Sequence, residues 1–163
     1  MEQIVQSMKD KQVHYSDIDI HNYLHEIIRQ MYADDFKPDY IVGLSRGGLT
    51  PAVKLSHYLD ITMHPLGKDE SNLWMAEDAY NGKNILVVDD INDTGHTISQ
   101  LKLDWRSGCH PNDDKWLNIW AHNVRFATCI HNEASSEYVS YYGHVINKFE
   151  NPEWCVFPWE QWW

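Results

Sequence analysis

Between Ser16 and Asp35 the apolar positions fall at Ile20, Tyr23, Leu24, Ile27, Ile28 and Met31. That i, i+3, i+4, i+7, i+8, i+11 spacing lines one face of a helix, with Ser16 or Asp17 as its N-cap. After Pro38 the pattern changes. "DYIVGL" (39–44) is a short apolar run that ends in a turn, "SRGG", and reads as a strand. "LTPAVKLSHYLD" (49–60) reads as a helix that tolerates Pro51 in its first turn. "ITMHP" (61–65) reads as a second strand. Residues 66–83, "LGKDESNLWMAEDAYNGK", show weak periodicity and close on the turn signal Asn81-Gly82. They predict a long loop, with room for a short helical or strand excursion, and long loops in compact domains often serve as lids. "NILVVDD" (84–90) predicts a third strand. "HTISQLKLDWRSG" (96–108) predicts a helix with Ile98, Leu101 and Trp105 on one face. "WLNIWAH" (116–122) predicts a fourth strand, and 136–146 and 153–159 predict further strand or irregular segments.

Strand alternates with helix, and the third and fourth predicted strands are nearly continuous apolar runs. The expected fold is α/β: a twisted, mainly parallel sheet with helices on both faces. A length of 163 residues suits a single domain spanning 1–163. In such folds ligands sit at the carboxyl ends of the strands. The turns "SRGG", "DDINDTGHT" and "HNVR" are expected there.

Thirteen basic against 24 acidic residues give a net charge of −11. That field opposes binding to a nucleic-acid backbone or an anionic membrane. It leaves room for an anionic small molecule held by a few aimed groups. Cys109, Cys129 and Cys155 are odd in number and far apart, which argues against a disulfide framework or a zinc ribbon. The first residues lack the basic start and apolar core of a secretion signal, so the expected location is the cytoplasm.

The chemistry concentrates in "ILVVDDINDTGHT" (85–97). Strand alternation sends Asp89 and Asp90 to opposite sides. Adjacent acids can grip sugar hydroxyls, directly or through a hydrated Mg²⁺. Asp93 lies in the turn, where it can reach a separate proton. Thr94, Gly95, His96 and Thr97 lead into a helix start, whose amides and hydroxyls suit a phosphate. A capped, solvated turn would account for the Asp and Thr of "DTGHT" but not for "VVDD" before it. An acidic pocket of the response-regulator type is excluded, because more than 80 residues precede the pair and the next predicted strand ends in "WAH". The combination points to a phosphorylated polyol with a metal.

"ILVVDDINDTGHT" resembles the 5-phosphoribosyl-1-pyrophosphate (PRPP) motif of type I phosphoribosyltransferases. "IVGLSRGGLTPA" (41–52) is similar to that family's pyrophosphate loop, and "WCVFPWE" (154–160) to the tail of its xanthine-guanine branch. The three come in the family's order. The resemblance implies transfer of phosphoribose from PRPP to a purine, a 6-oxopurine foremost, with Mg²⁺ as cofactor. It implies a homodimer or homotetramer. Asp89 and Asp90 would hold the ribose and the metal, with Glu160 near the metal. Asp93 would be catalytic, meeting N7 of the base. Thr94, Gly95, His96 and Thr97 would cradle the 5′-phosphate, His96 departing from the small residue usual there.

The resemblance also implies that Ser45, Arg46, Gly47 and Gly48 bind pyrophosphate, with a cis bond between Ser45 and Arg46. Residues 66–83 would be the lid. Counting back from the aspartates puts Glu70 where relatives carry a basic group, and Lys68 is the nearest substitute. Residues of about 136–163, with the N-terminus as a further candidate, would form a small hood. There Trp154 would stack on the base and Cys155 would offer its main chain, while packing accounts for Trp162 and Trp163. Relatives carry a lysine after the fourth strand that reads the base, and His122 takes that place in "IWAHNVR". Two alternatives stay open: the same chemistry on adenine, a pyrimidine or another acceptor, and a non-catalytic PRPP-sensing regulatory protein.

Overall fold

A computed structural model describes residues 11–68 and 72–161. Glu70, Trp162 and Trp163, and the parts of the lid and hood that include them, lie outside these residues. The elements run β1 (Gln12–His14), α1 (Asp17–Ala33), β2 (Tyr40–Leu44), α2 (Leu49–Leu59), β3 (Met63–Leu66), α3 (Leu73–Tyr80), β4 (Ile85–Asn92), α4 (His96–Gly108), β5 (Val124–Asn132), β6 (Tyr141–Ile146) and β7 (Trp154–Val156). Five strands form one sheet in the order β3-β2-β4-β5-β6, and every neighbouring pair is parallel.

Alternation along the strands divides the core in two. Ile41, Leu86, Val88, Ala127 and Cys129 face α1 and α2, meeting Ile20, Leu24, Ile27, Ala52 and Leu55. Val42, Leu44, Ile85, Val87 and Phe126 face the other way, onto Met75 and Ala79 of α3 and Ile98, Leu101 and Trp105 of α4. Helix α1 starts where the pattern placed it. Ser16 Oγ accepts from Asp19 N–H at 3.1 Å, and Ser16 N–H donates to the Asp19 carboxylate at 2.8 Å, a reciprocal capping box. Outside the main sheet β1 pairs in parallel with β7, so the amino end and the tail make one small ribbon.

Two expectations need correction. "WLNIWAH" is not a strand: Asp114–Asn118 form a 3₁₀ turn, and the strand follows at Val124–Asn132. The Asp113 carboxylate caps Lys115 N–H at 2.9 Å, and the Trp116 indole N–H donates to Cys109 O at 2.8 Å. Within the segment Ile119 N–H donates to Trp116 O at 3.2 Å and His122 N–H to Ile119 O at 3.1 Å, so main-chain groups that a strand would have paired with its neighbours are taken up locally. The second correction concerns 66–83. Its middle is α3, whose Met75, Ala76 and Ala79 are buried in the core, so that part is no lid. Among the described residues no helix is long and apolar enough to cross a membrane.

Candidate active site

Strand β4 runs two residues beyond its expected end, so Asp89 and Asp90 lie inside the sheet. The pleat turns Asp89 toward α4, where it lines a cavity of about 250 Å³ with His96, Thr97, Gln100 and Leu101. It turns Asp90 toward the Ser45–Gly48 loop, where a side chain at Gly47 would displace the carboxylate. A β-carbon there would stand 2.1 Å from Asp90 Oδ2. The two sides are linked through the main chain, as Asp90 N–H donates to Asp89 Oδ1 at 2.9 Å and Ile91 N–H to Asp90 Oδ1 at 2.7 Å.

Burial and the neighbouring Asp90 charge push the Asp89 carboxyl well above the usual carboxylate range. Burial also raises Asp90, and the charge of Glu160 adds to the rise. A carboxyl raised in the folded state holds a proton that the unfolded chain has already lost. Its stabilising contribution is present at acid pH and declines as pH climbs through the folded pKa. Asp89→Asn removes the buried charge and keeps an oxygen for Asp90 N–H. The ligand-free variant is therefore expected to melt at a higher temperature than the wild type at pH 8. The gap should shrink as pH is lowered toward 4, and PRPP binding should weaken. Identical melting curves across that range would contradict the electrostatic account.

Next along the chain, Gly95 takes φ +93° and opens α4. A side chain there would also strike Ser136 Oγ at 2.5 Å and Glu137 N at 2.9 Å. The 133–140 segment clamps this turn. Ser136 donates to Thr94 O through both N–H (3.0 Å) and Oγ (2.9 Å). Glu137 accepts from Ser99 Oγ at 2.9 Å and Lys102 Nζ at 2.8 Å. The first amides of α4 have no carbonyl partner within the helix, an arrangement that suits an anion. Thr94, Gly95, His96 and Thr97 line one cavity of about 160 Å³ together with Asp89, Asp90 and Asp93. Across from them lie Ser45 and the exposed Lys68, which line the larger cavity with Asp89 and His96. The Ser45–Arg46 bond is cis.

Asp93 is held at the hood side of the turn. Asn132 Nδ2 donates to its carbonyl at 2.9 Å and to Oδ1 at 3.3 Å, and Lys148 Nζ sits 3.0 Å from Oδ2. Trp154 is half exposed, its ring centroid 6.0 Å from Lys148 Nζ. Trp154 N–H donates to Lys11 O and Val156 O accepts from Tyr15 N–H, so ladder alternation turns the Cys155 main chain away from β1. Burial pushes the Cys155 thiol up and leaves it unreactive, so main-chain groups are what this residue offers a ligand. The Glu160 carboxylate accepts from Phe157 N–H at 3.1 Å and stays exposed.

The expected site residues thus converge, with one exception. His122 is exposed in the turn before β5, its N–H bonded to Ile119 O at 3.1 Å. Ile85 and Val124 pair at the start of β4 and β5, which puts His122 at the amino edge of the sheet, opposite the site. The misread strand moved it to the wrong end. Arg125 also points away, to Asp34 at 3.4 Å and the Tyr141 hydroxyl at 2.7 Å. Sequence reasoning missed Asn132 and Lys148. Reading "VRFATCIHN" as the strand would have found Asn132. Lys148 carries its own signal, as the single Lys or Arg in residues 136–163.

An acidic strand end, a helix start opened by Gly95 and a glycine loop meet at the carboxyl edge of a parallel sheet, where such folds bind their ligands. The chain belongs to the phosphoribosyl transferase domain family, whose model matches residues 12–160. It is a phosphoribosyltransferase. It is 29% identical over 132 residues to the xanthine-guanine phosphoribosyltransferase of Cereibacter sphaeroides, covering 74% of this chain and 68% of that protein. The fold is similar to that of a purine phosphoribosyltransferase from Pyrococcus horikoshii, with a TM-score of 0.65 at 22% identity over 93% of this chain and 95% of that one. It is equally similar to the Helicobacter pylori xanthine-guanine-hypoxanthine phosphoribosyltransferase, with a TM-score of 0.65 at 21% identity over 91% and 93%.

Proposed function

We propose that the protein transfers the 5-phosphoribosyl group of PRPP to a 6-oxopurine, forming a nucleoside monophosphate and pyrophosphate. One observation supports this reading: Asp93 lines one cavity with Asp89, Asp90 and the Thr94–Thr97 turn, while Lys148 Nζ lies 3.0 Å from its carboxylate and 6.0 Å from the centre of the Trp154 ring. A relative named for xanthine and guanine supports the choice of acceptor.

In this reading Thr94, Gly95, His96 and Thr97 hold the 5′-phosphate, and Asp89 and Asp90 the ribose hydroxyls. Ser45, Arg46, Gly47, Gly48 and Lys68 hold the pyrophosphate. Trp154 stacks on the base, the Cys155 main chain meets its edge, and Asp93 takes or gives a proton at N7. The sugar gains positive charge as its bond to pyrophosphate breaks, and carboxylates beneath it stabilise that charge. The residues also fit Mg²⁺. Asp89 and Asp90 are hard oxygen donors whose carboxyls burial pushes up, and the Glu160 charge adds to the rise at Asp90, so a bound cation would be favoured among the three. When bound, Mg²⁺ neutralises the leaving pyrophosphate. The enzyme works in the cytoplasm as a homodimer or homotetramer.

The test is pyrophosphate release from PRPP and Mg²⁺ with guanine, hypoxanthine, xanthine, adenine, uracil or orotate. Turnover is expected with the 6-oxopurines and little with the others. Best turnover with adenine or a pyrimidine overturns the assigned acceptor. PRPP binding without turnover on any base makes the protein a sensor.

A further inference from the structure

We propose that Lys148 reads the 6-position of the base, donating to a 6-oxo group and discriminating against a 6-amino group. The proposal rests on the 6-oxopurine reading above and names the residue that enforces it. Lys148 stands at the carboxyl end of the main sheet, beyond its edge strand β6. From the turn after β6 it reaches across β5 to the β4 turn, where its ammonium lies 3.0 Å from Asp93 Oδ2 and its side chain is only 11% exposed. A lysine this well covered, in a chain of net charge −11 with many exposed carboxylates to pair with, is placed rather than incidental.

The placement is rigid. Lys148 N–H donates to Asn132 Oδ1 at 2.9 Å, and the other end of the same amide holds Asp93. Asn147 Oδ1 accepts from Phe149 N–H at 3.1 Å and Glu150 N–H at 3.3 Å, while Asn151 N–H donates to Asn147 O at 2.9 Å. Asn132 thereby sets an acceptor and a donor side by side, and the Trp154 ring lies 6.0 Å from the donor. A purine offers a matching pair of neighbouring atoms on one edge. Guanine presents N7 and O6, whereas adenine presents N7 and an amino donor. With Asp93 at N7, Lys148 meets the 6-substituent. An oxo group accepts from the ammonium. An amino group sets donor against donor, an arrangement that a site built to donate a hydrogen bond there rejects.

A lysine that merely steadies Asp93 predicts something different, since its loss would slow every base alike. The experiment compares hypoxanthine with adenine as acceptor for the full chain, for Lys148→Met and for Lys148→Arg, with PRPP binding measured for each. Loss of one charge-assisted bond predicts that Lys148→Met lowers kcat/KM for hypoxanthine by about 10- to 100-fold. The adenine value should hold or rise, PRPP affinity should stay put, and Lys148→Arg should restore part of the preference. An unchanged hypoxanthine-to-adenine ratio in Lys148→Met overturns this assignment alone. A wild-type protein inactive with 6-oxopurines overturns the reading beneath it as well.

Discussion

Asp93→Asn is expected to lower kcat by about 100- to 10,000-fold, the range for losing a positioned general acid or base. The substitution keeps the size of the side chain and leaves an oxygen for Asn132, whose amide donates to both the main chain and Oδ1 of Asp93. What disappears is the ability to exchange a proton with the base, along with the ion pair to Lys148 at 3.0 Å. The phosphate turn is held separately, by Ser136 on Thr94 O. PRPP affinity should therefore change little, while the melting temperature should fall, because the well-covered Lys148 ammonium loses its partner. Paired kinetics and calorimetry on the variant check the result. Undiminished turnover would remove Asp93 from the chemistry, and lost PRPP binding would show that it supports the donor rather than the base.

Gly48→Ala is expected to be the most damaging small change in the fold. Its backbone, at φ −79° and ψ −10°, suits any residue, so the constraint is space. An added β-carbon would stand 2.4 Å from Val88 O, 2.8 Å from Leu44 O and 2.9 Å from Asp89 Cα. These are main-chain atoms of two paired central strands and cannot rotate aside. Either the glycine loop lifts off β4 or the strands part. At the upper end of overpacking costs, about 3 kcal/mol, a domain of this size loses roughly 6–12 °C in melting temperature. Loss of PRPP binding should accompany it, because the loop that moves is the one assigned to pyrophosphate. Thermal melts and PRPP titration of the variant test both effects. A variant as stable as the wild type would mean that the loop does not pack on β4 as described.

What could be read in advance was what is local. β4, the phosphate turn and α4 are contiguous, and each announces itself: four apolar residues, a run of acids, a glycine at positive φ, a helical face of Ile98, Leu101 and Trp105. The donor half of the site was therefore legible. The acceptor half is assembled from Asp93, Asn132, Lys148 and Trp154, which are distant in sequence and meet only through the fold. Strand β5 hid itself. Its polar members Arg125 and His131 break the apolar run, and each is satisfied across the fold, by Asp34 and Tyr141 in one case and by Asn92 in the other. The aromatic run before it looked more like a strand, but Trp116 and Trp120 stack on each other at 5.5 Å. Helix α3 was legible only as a short excursion of open type within 66–83, because it is short and core packing of Met75 and Ala79 holds it. Residues 133–140, expected in part as strand, instead clamp the phosphate turn.

The central claim is that this groove joins a 6-oxopurine to phosphoribose. Mass spectrometry of a mixture of the protein, PRPP, Mg²⁺ and hypoxanthine tests it most directly. The predicted result is inosine monophosphate, formed in step with one pyrophosphate for each PRPP consumed. Unchanged PRPP, or ribose 5-phosphate as the sole sugar product, would contradict it.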